Sequence, residues 1–183
     1  KMSTVMFQNV RADISAIDSA HAYAFGRNVS IYSTIDGGNN WQEISNGTQN
    51  DLYSIFFLNG NDGWAGGEDR TLLITHDGGQ HWIYNDLGSA YPVTEIQFIS
   101  PYNGFLVNGN ILKSTDGGLS WSLTSGWSYP ISDLYFLDSQ LGWCVGADGR
   151  LFKTMNGGVD WEEKSSGTDK DFYAVYFIND NGV

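Results

Sequence analysis

One eight-residue phrase is written four times in this 183-residue chain: Thr34-Ile-Asp-Gly-Gly-Asn-Asn-Trp41, Thr75-His-Asp-Gly-Gly-Gln-His-Trp82, Ser114-Thr-Asp-Gly-Gly-Leu-Ser-Trp121 and Thr154-Met-Asn-Gly-Gly-Val-Asp-Trp161. Its third position falls at 36, 77, 116 and 156, so the intervals are 41, 39 and 40 residues, the period of an internal repeat array. That period decides the fold class. Whatever the array does specifically must lie in residues that do not repeat.

A second pattern keeps step with the first. Leu52-Tyr-Ser-Ile-Phe-Phe57, Val93-Thr-Glu-Ile-Gln-Phe98, Ile131-Ser-Asp-Leu-Tyr-Phe136 and Phe172-Tyr-Ala-Val-Tyr-Phe177 carry apolar residues at alternate places, the period of a strand. Turn residues follow, and then Gly63-Trp64, Gly104-Phe105 and Gly142-Trp143 start a second strand. A third strand, such as Arg150-Leu-Phe-Lys-Thr154, runs into the Asp-Gly-Gly turn, and a fourth begins at the Trp. Four short antiparallel strands in about 40 residues predict a blade of an all-β propeller. Blades are expected at about 11–50, 51–90, 91–129 and 130–169, with an incomplete fifth at 170–183 and residues 1–10 as the outer strand of a neighbouring or closing blade. The array ends mid-blade, which predicts part of a larger ring and blade edges open to association.

Composition narrows the partners. A formal charge of -12, from 21 acidic residues against 9 Lys and Arg, repels a phosphate backbone, so nucleic acid is not expected. No stretch is apolar for long enough to cross a bilayer, and Lys1-Met-Ser-Thr-Val-Met-Phe7 lacks the apolar run of a signal peptide. Placement outside the cell or at its surface is expected, with periplasm or an organelle lumen as alternatives. The single cysteine, Cys144, excludes an internal disulfide and reads as a small core residue.

The repeated turn has a structural logic. Asp36, Asp77, Asp116 and Asn156 are expected to accept backbone hydrogen bonds that fix the turn, and Gly38, Gly79, Gly118 and Gly158 supply the angles it needs. Trp41, Trp82, Trp121 and Trp161 are placed to cover apolar surface where strands or blades meet. Asn156 keeps the acceptor oxygen and loses the ionisable proton, so the shared property is hydrogen bonding and not acid–base chemistry. His76 and His81 lack a third ligand, and Asn59-Gly-Asn-Asp-Gly63 lacks the later positions of a calcium loop. No metal or cofactor is expected.

The phrase resembles the Asp-box, or BNR repeat, of sialidases and other propellers. The longer unit from Phe136 to Gly158 is similar to the propeller repeats of photosystem II assembly and stability factors, and the likeness covers residues 11–183. In that fold the Asp-box lies on the turn between third and fourth strands, at the outer rim. The resemblance therefore implies that ligands meet the opposite face, made by the turns between second and third strands and by the connections between blades. On that face this chain carries Arg27, Arg70 and Arg150, candidates for gripping an anion or for pairing with nearby acids. Trp127 with Tyr91 and Tyr129 offers an aromatic platform for a partner loop or sugar ring.

Two functions follow. The resemblance to sialidases implies a glycoside hydrolase of sialidase or endoglucanase type, but the Arg-Ile-Pro motif is absent, the chain has four arginines in all, and no paired catalytic carboxylates stand out. A non-catalytic binding or scaffold propeller, recognising protein or glycan, needs no catalytic set and suits such regular units.

Overall fold

In a computed structural model, the chain is described over residues 12–25, 30–88, 91–124 and 130–177. Sixteen strands form four separate antiparallel sheets, each of four strands in chain order. The first sheet holds β1 (Asp13–Ala16), β2 (Ala22–Phe25), β3 (Ile31–Thr34) and β4 (Gln42–Ile44). The second holds β5 (Leu52–Phe57), β6 (Gly63–Gly67), β7 (Thr71–Thr75) and β8 (Ile83–Asp86). In the third are β9 (Glu95–Phe98), β10 (Gly104–Val107), β11 (Ile111–Ser114) and β12 (Ser122–Leu123). The fourth comprises β13 (Ile131–Phe136), β14 (Gly142–Gly146), β15 (Leu151–Thr154) and β16 (Glu162–Lys164). Residues 1–11 and 178–183, on which an outer strand and the end of a fifth blade were expected, lie outside the described residues.

The repeated phrase makes the same turn four times. The hydroxyl of Thr34, Thr75, Ser114 or Thr154 donates to the carboxylate or carboxamide two residues on, at 2.8–3.0 Å, and accepts from the second glycine's N–H. Oδ1 of Asp36, Asp77, Asp116 or Asn156 accepts the N–H four residues further on, at 2.9 Å in every copy. The first glycine's N–H then donates to a carbonyl in the turn between first and second strands, at Ala20, Asn61, Tyr102 and Gln140. Gly78 shows why glycine is needed: φ is +71°, and a Cβ would stand 2.8 Å from the Gly60 carbonyl oxygen. The two turns at one end of each blade are thereby tied together.

Copy four reverses a polarity. In the first three, a donor at the seventh position, Asn40 Nδ2, His81 Nδ1 or Ser120 Oγ, meets the second carboxylate oxygen of Asp36, Asp77 or Asp116 at 2.5–2.6 Å. In the fourth, Asn156 Nδ2 donates to Asp160 Oδ2 at 2.9 Å. The acid has changed places with its donor, and one carboxylate per turn is kept.

Blades join through a repeated aromatic stack. The second-strand aromatic of one blade lies flat on the inner-strand Phe of the next: Tyr23 on Phe57 at 3.5 Å, Trp64 on Phe98 at 3.5 Å, Phe105 on Phe136 at 3.8 Å and Trp143 on Phe177 at 3.9 Å. Trp82, Trp121 and Trp161 then meet Phe57, Phe98 and Phe136 edge-on at 5.8–6.0 Å. Trp41 is 41% exposed, and Ala16 stands where the other blades have that Phe, so among the described residues no such ring meets it. The glycine before the second-strand aromatic is what lets the Phe lie down: a Cβ on Gly104 would be 2.6 Å from the Phe98 ring. A donor closes the first three junctions on the same carbonyl: Tyr23 Oη reaches Gly78 O, Trp64 Nε1 reaches Gly117 O and Lys113 Nζ reaches Gly157 O.

Candidate functional site

Inner strands show their own acceptors to the next blade. Asp13 Oδ2 accepts Ile55 N–H at 2.9 Å, Ser54 Oγ accepts Ile96 N–H at 3.1 Å, and Asp133 Oδ2 accepts Val175 N–H at 2.7 Å, each across 42 residues. These bonds satisfy an edge that has no strand partner. Residues 171–177 lie beside the fourth blade in the place of a fifth inner strand, held also by Phe172 N–H donating to Gly146 O. Glu95 occupies the same register position in the third blade, and burial pushes its carboxyl up to about 9, with the charges of Asp133 and Asp13 adding to the effect. Burial also raises Asp13 and Asp133. No single motif marks this trio; the signal lay in one register position that is polar in four consecutive blades.

All three histidines lie at the Asp-box end of the blades, and each has a carboxylate beside Nδ1: Asp18 for His21 at 2.9 Å, Asp62 for His76 at 2.8 Å and Asp77 for His81 at 2.6 Å. Among the described residues no group of acids, histidines and cysteines could hold a metal ion. The His81 N–H and ring hold the Asp77 carboxyl down at about 2, and the Ser120 hydroxyl and N–H do the same for Asp116. Asn59 Oδ1 accepts Asn61 and Asp62 N–H, so that segment is a tight turn. Cys144 is fully buried, and burial raises its thiol. The hydroxyl and the carboxylate or carboxamide that the Asp-box turn repeats are engaged by neighbours in every copy, whereas among the described residues the indole N–H of Trp82 is buried without a hydrogen bond.

The other end of the blades is built differently. The three described non-glycine residues with positive φ are Asp69 at 46°, Arg70 at 63° and Asp148 at 57°, all on turns between second and third strands. Such angles cost an L-residue roughly 1–2 kcal/mol. Glu68 is fixed by its N–H to the Asp51 carbonyl at 2.8 Å and by Tyr53 Oη at 2.6 Å. Arg70 Nε lies 3.7 Å from Asp86, and Arg150 Nη1 donates to Glu163 at 2.7 Å, so each of these arginines is engaged within its own blade. Asp148 N–H donates to Asp171 across a blade boundary. Acids outnumber bases on these turns and connections, where Asp51, Glu68, Asp69, Asp86, Asp148, Asp169 and Asp171 stand against Arg70, Arg150 and Lys170.

Tyr91 is 59% exposed, and its ring lies over the third blade's turn, where a Cβ on Gly109 would meet it at 3.4 Å. Arg27, Trp127 and Tyr129 lie outside the described residues. The turn under Tyr91 is Asn108-Gly109-Asn110, and Asn108 is 3% exposed. The sequence placed that turn on this face without singling out Asn108.

Among the described residues no helix is long and apolar enough to cross a membrane. A family model for the photosynthesis system II assembly factor YCF48 matches residues 1–94. The photosystem II assembly lipoprotein Ycf48 of Synechococcus sp. (strain CC9902) is 34% identical over 118 residues, which are 60% of this chain and 35% of that protein. The chain thus spans about a third of that relative's length. Two solved structures show the fold: YCF48 bound to D1 peptide, at TM-score 0.55 and 17% identity over 95% of this chain and 92% of that one, and an ancestral GH74 enzyme, at TM-score 0.70 and 18% identity over 85% and 24%.

Proposed function

Because the chain belongs to the photosynthesis system II assembly factor YCF48 family, we propose that it is a non-catalytic, protein-binding propeller. Its turns between second and third strands, with the blade connections beside them, receive a segment of the partner. One observation carries this reading: the repeated carboxylates, carboxamide and hydroxyls of the Asp-box turns are held by their own turn, while the opposite end holds non-repeated side chains at costly backbone angles. Strain of that kind concentrates where a protein recognises something. Tyr91 supplies apolar contact there, with Arg70 and Arg150 as polar neighbours that exchange partners when the segment arrives. Arg27, Trp127 and Tyr129 are proposed for the same face from the sequence.

The glycosidase alternative draws no support from the half-buried trio of Asp13, Glu95 and Asp133, since Asp13 and Asp133 each accept backbone N–H groups on both oxygens. A relative named as a lipoprotein supports work on the extracytoplasmic side of a membrane, held there without a spanning helix. Association through open blade edges is proposed at Ile14, 61% exposed where its counterparts Ile55, Ile96 and Leu134 are buried.

A D1 peptide is the first ligand to try, because a YCF48 structure holds one. Calorimetry should find binding that weakens at least tenfold in Tyr91→Ala and stays unchanged in His76→Ala at the opposite end. Equal losses, or loss only in His76→Ala, would refute the assignment of the face. A glycan array run beside it separates protein from sugar recognition.

A further inference from the structure

Asn108 breaks the repeat at a telling place. Counted from the start of the second strand, it stands where the other blades have Gly26, Gly67 and Gly146. Glycine is required at two of these: a Cβ on Gly67 would be 2.0 Å from the Asp51 carbonyl oxygen, and one on Gly146 would be 2.3 Å from that of Pro130. In the third blade a full side chain fits, and it is 3% exposed. Its backbone N–H donates to Asn110 O, but among the described residues its carboxamide makes no hydrogen bond. Neither of its polar side-chain atoms is both fully buried and unpartnered, so the carboxamide keeps an edge toward solvent that glycine would lack.

The surroundings give that carboxamide a use. The turn that carries it has three residues between the paired positions Val107 and Ile111, while Gly66 and Leu72, and Val145 and Leu151, are each separated by five. The third blade is therefore the low point between two taller turns. Tyr91 lies across that low point as an apolar wall.

We propose that Asn108, walled by Tyr91, is a subsite for the main-chain amide of an extended peptide. A carboxamide presents one acceptor and a donor pair side by side, which matches the N–H and C=O of a single extended residue. The side chain next to that residue rests on the Tyr91 ring. This rests on the reading that the face binds a protein segment, and it names what is gripped: backbone, and so no particular side chain.

The probe is capped trialanine, followed by the Asn108 side-chain NH2 signals in 15N-labelled protein, with N-acetylglucosamine as a second probe. The peptide should move those signals saturably, and Asn108→Gly, the residue of the other blades, should keep the fold and weaken binding at least tenfold. Unmoved signals, a response to the sugar alone, or wild-type affinity in Asn108→Gly overturns the proposal. If a D1 peptide binds Asn108→Gly as it binds wild type but fails with Tyr91→Ala, the face stands and the Asn108 subsite falls. If it loses neither, both fall.

Discussion

The two ends of the blades obey opposite rules. At the Asp-box end, positive backbone angles belong to glycines, and Asp36, Asp77 and Asp116 are surrounded by donors that hold their carboxyls down. At the other end such angles fall on Asp69, Arg70 and Asp148 as well as on Gly109 and Gly149, and Asn108 stands where other blades have glycine. What repeats stabilises, and what does not repeat costs stability. A sequence under selection for folding alone would have written both ends the first way.

The largest test lies on the inner strands, where Glu95 shares one register position with Asp13, Ser54 and Asp133. Its folded carboxyl titrates at about 9 against an unfolded value near 4.5, so the stability it allows is complete below pH 4.5 and is lost as pH rises towards 9. Glu95→Gln should raise the melting temperature at pH 8 by the equivalent of a few kcal/mol and change little at pH 4. An equal shift at both values would mean that the acid is solvated. Gly78→Ala comes next, with an expected loss of about 2 kcal/mol in denaturant titrations, since the new Cβ needs both the positive angle and the space of the Gly60 carbonyl.

Smaller effects separate the two ends more finely. Asn156→Asp sets two carboxylates together with no donor between them and should cost about 1 kcal/mol, a loss that Asp160→Asn restores in a double-mutant cycle. Additive losses would contradict the exchanged pair. At the opposite end the sign reverses: Arg70→Gly should stabilise by about 1 kcal/mol while weakening the partner, because φ of +63° suits glycine. Acid is the mildest probe. The hydrogen bonds to Asp77 and Asp116 stabilise above pH 4 and are lost as pH falls towards 2, so melting curves should stay flat from pH 6 to 5 as far as these groups go.

The fold was legible because its period is written in hydrogen-bonding residues at fixed spacing. Thr75, Asp77, Gly78, Gly79 and Trp82 each perform one geometric task, and four copies make the task readable. The stack across blades was half legible: the Phe and the Gly-aromatic pair were visible, but their contact spans two units, and Trp41 without its Phe shows how one change to Ala16 undoes it. Register put Asp13, Glu95 and Asp133 at one level, which a strand pattern alone does not reveal. Arg70 and Arg150 looked alike in sequence and proved to be tied to different acids, Asp86 and Glu163. Asn108 was hidden for another reason, since its meaning comes from the glycines it replaces and the short turn that carries it.

Chemical-shift mapping of 15N-labelled protein with a D1 peptide tests the central claim most directly. The account predicts changes at residues 68–70, 91, 108–110 and 147–150, with the Asp-box turns at 36–40, 76–81, 115–120 and 155–160 unmoved. Changes confined to those Asp-box turns, or none at all, would contradict it.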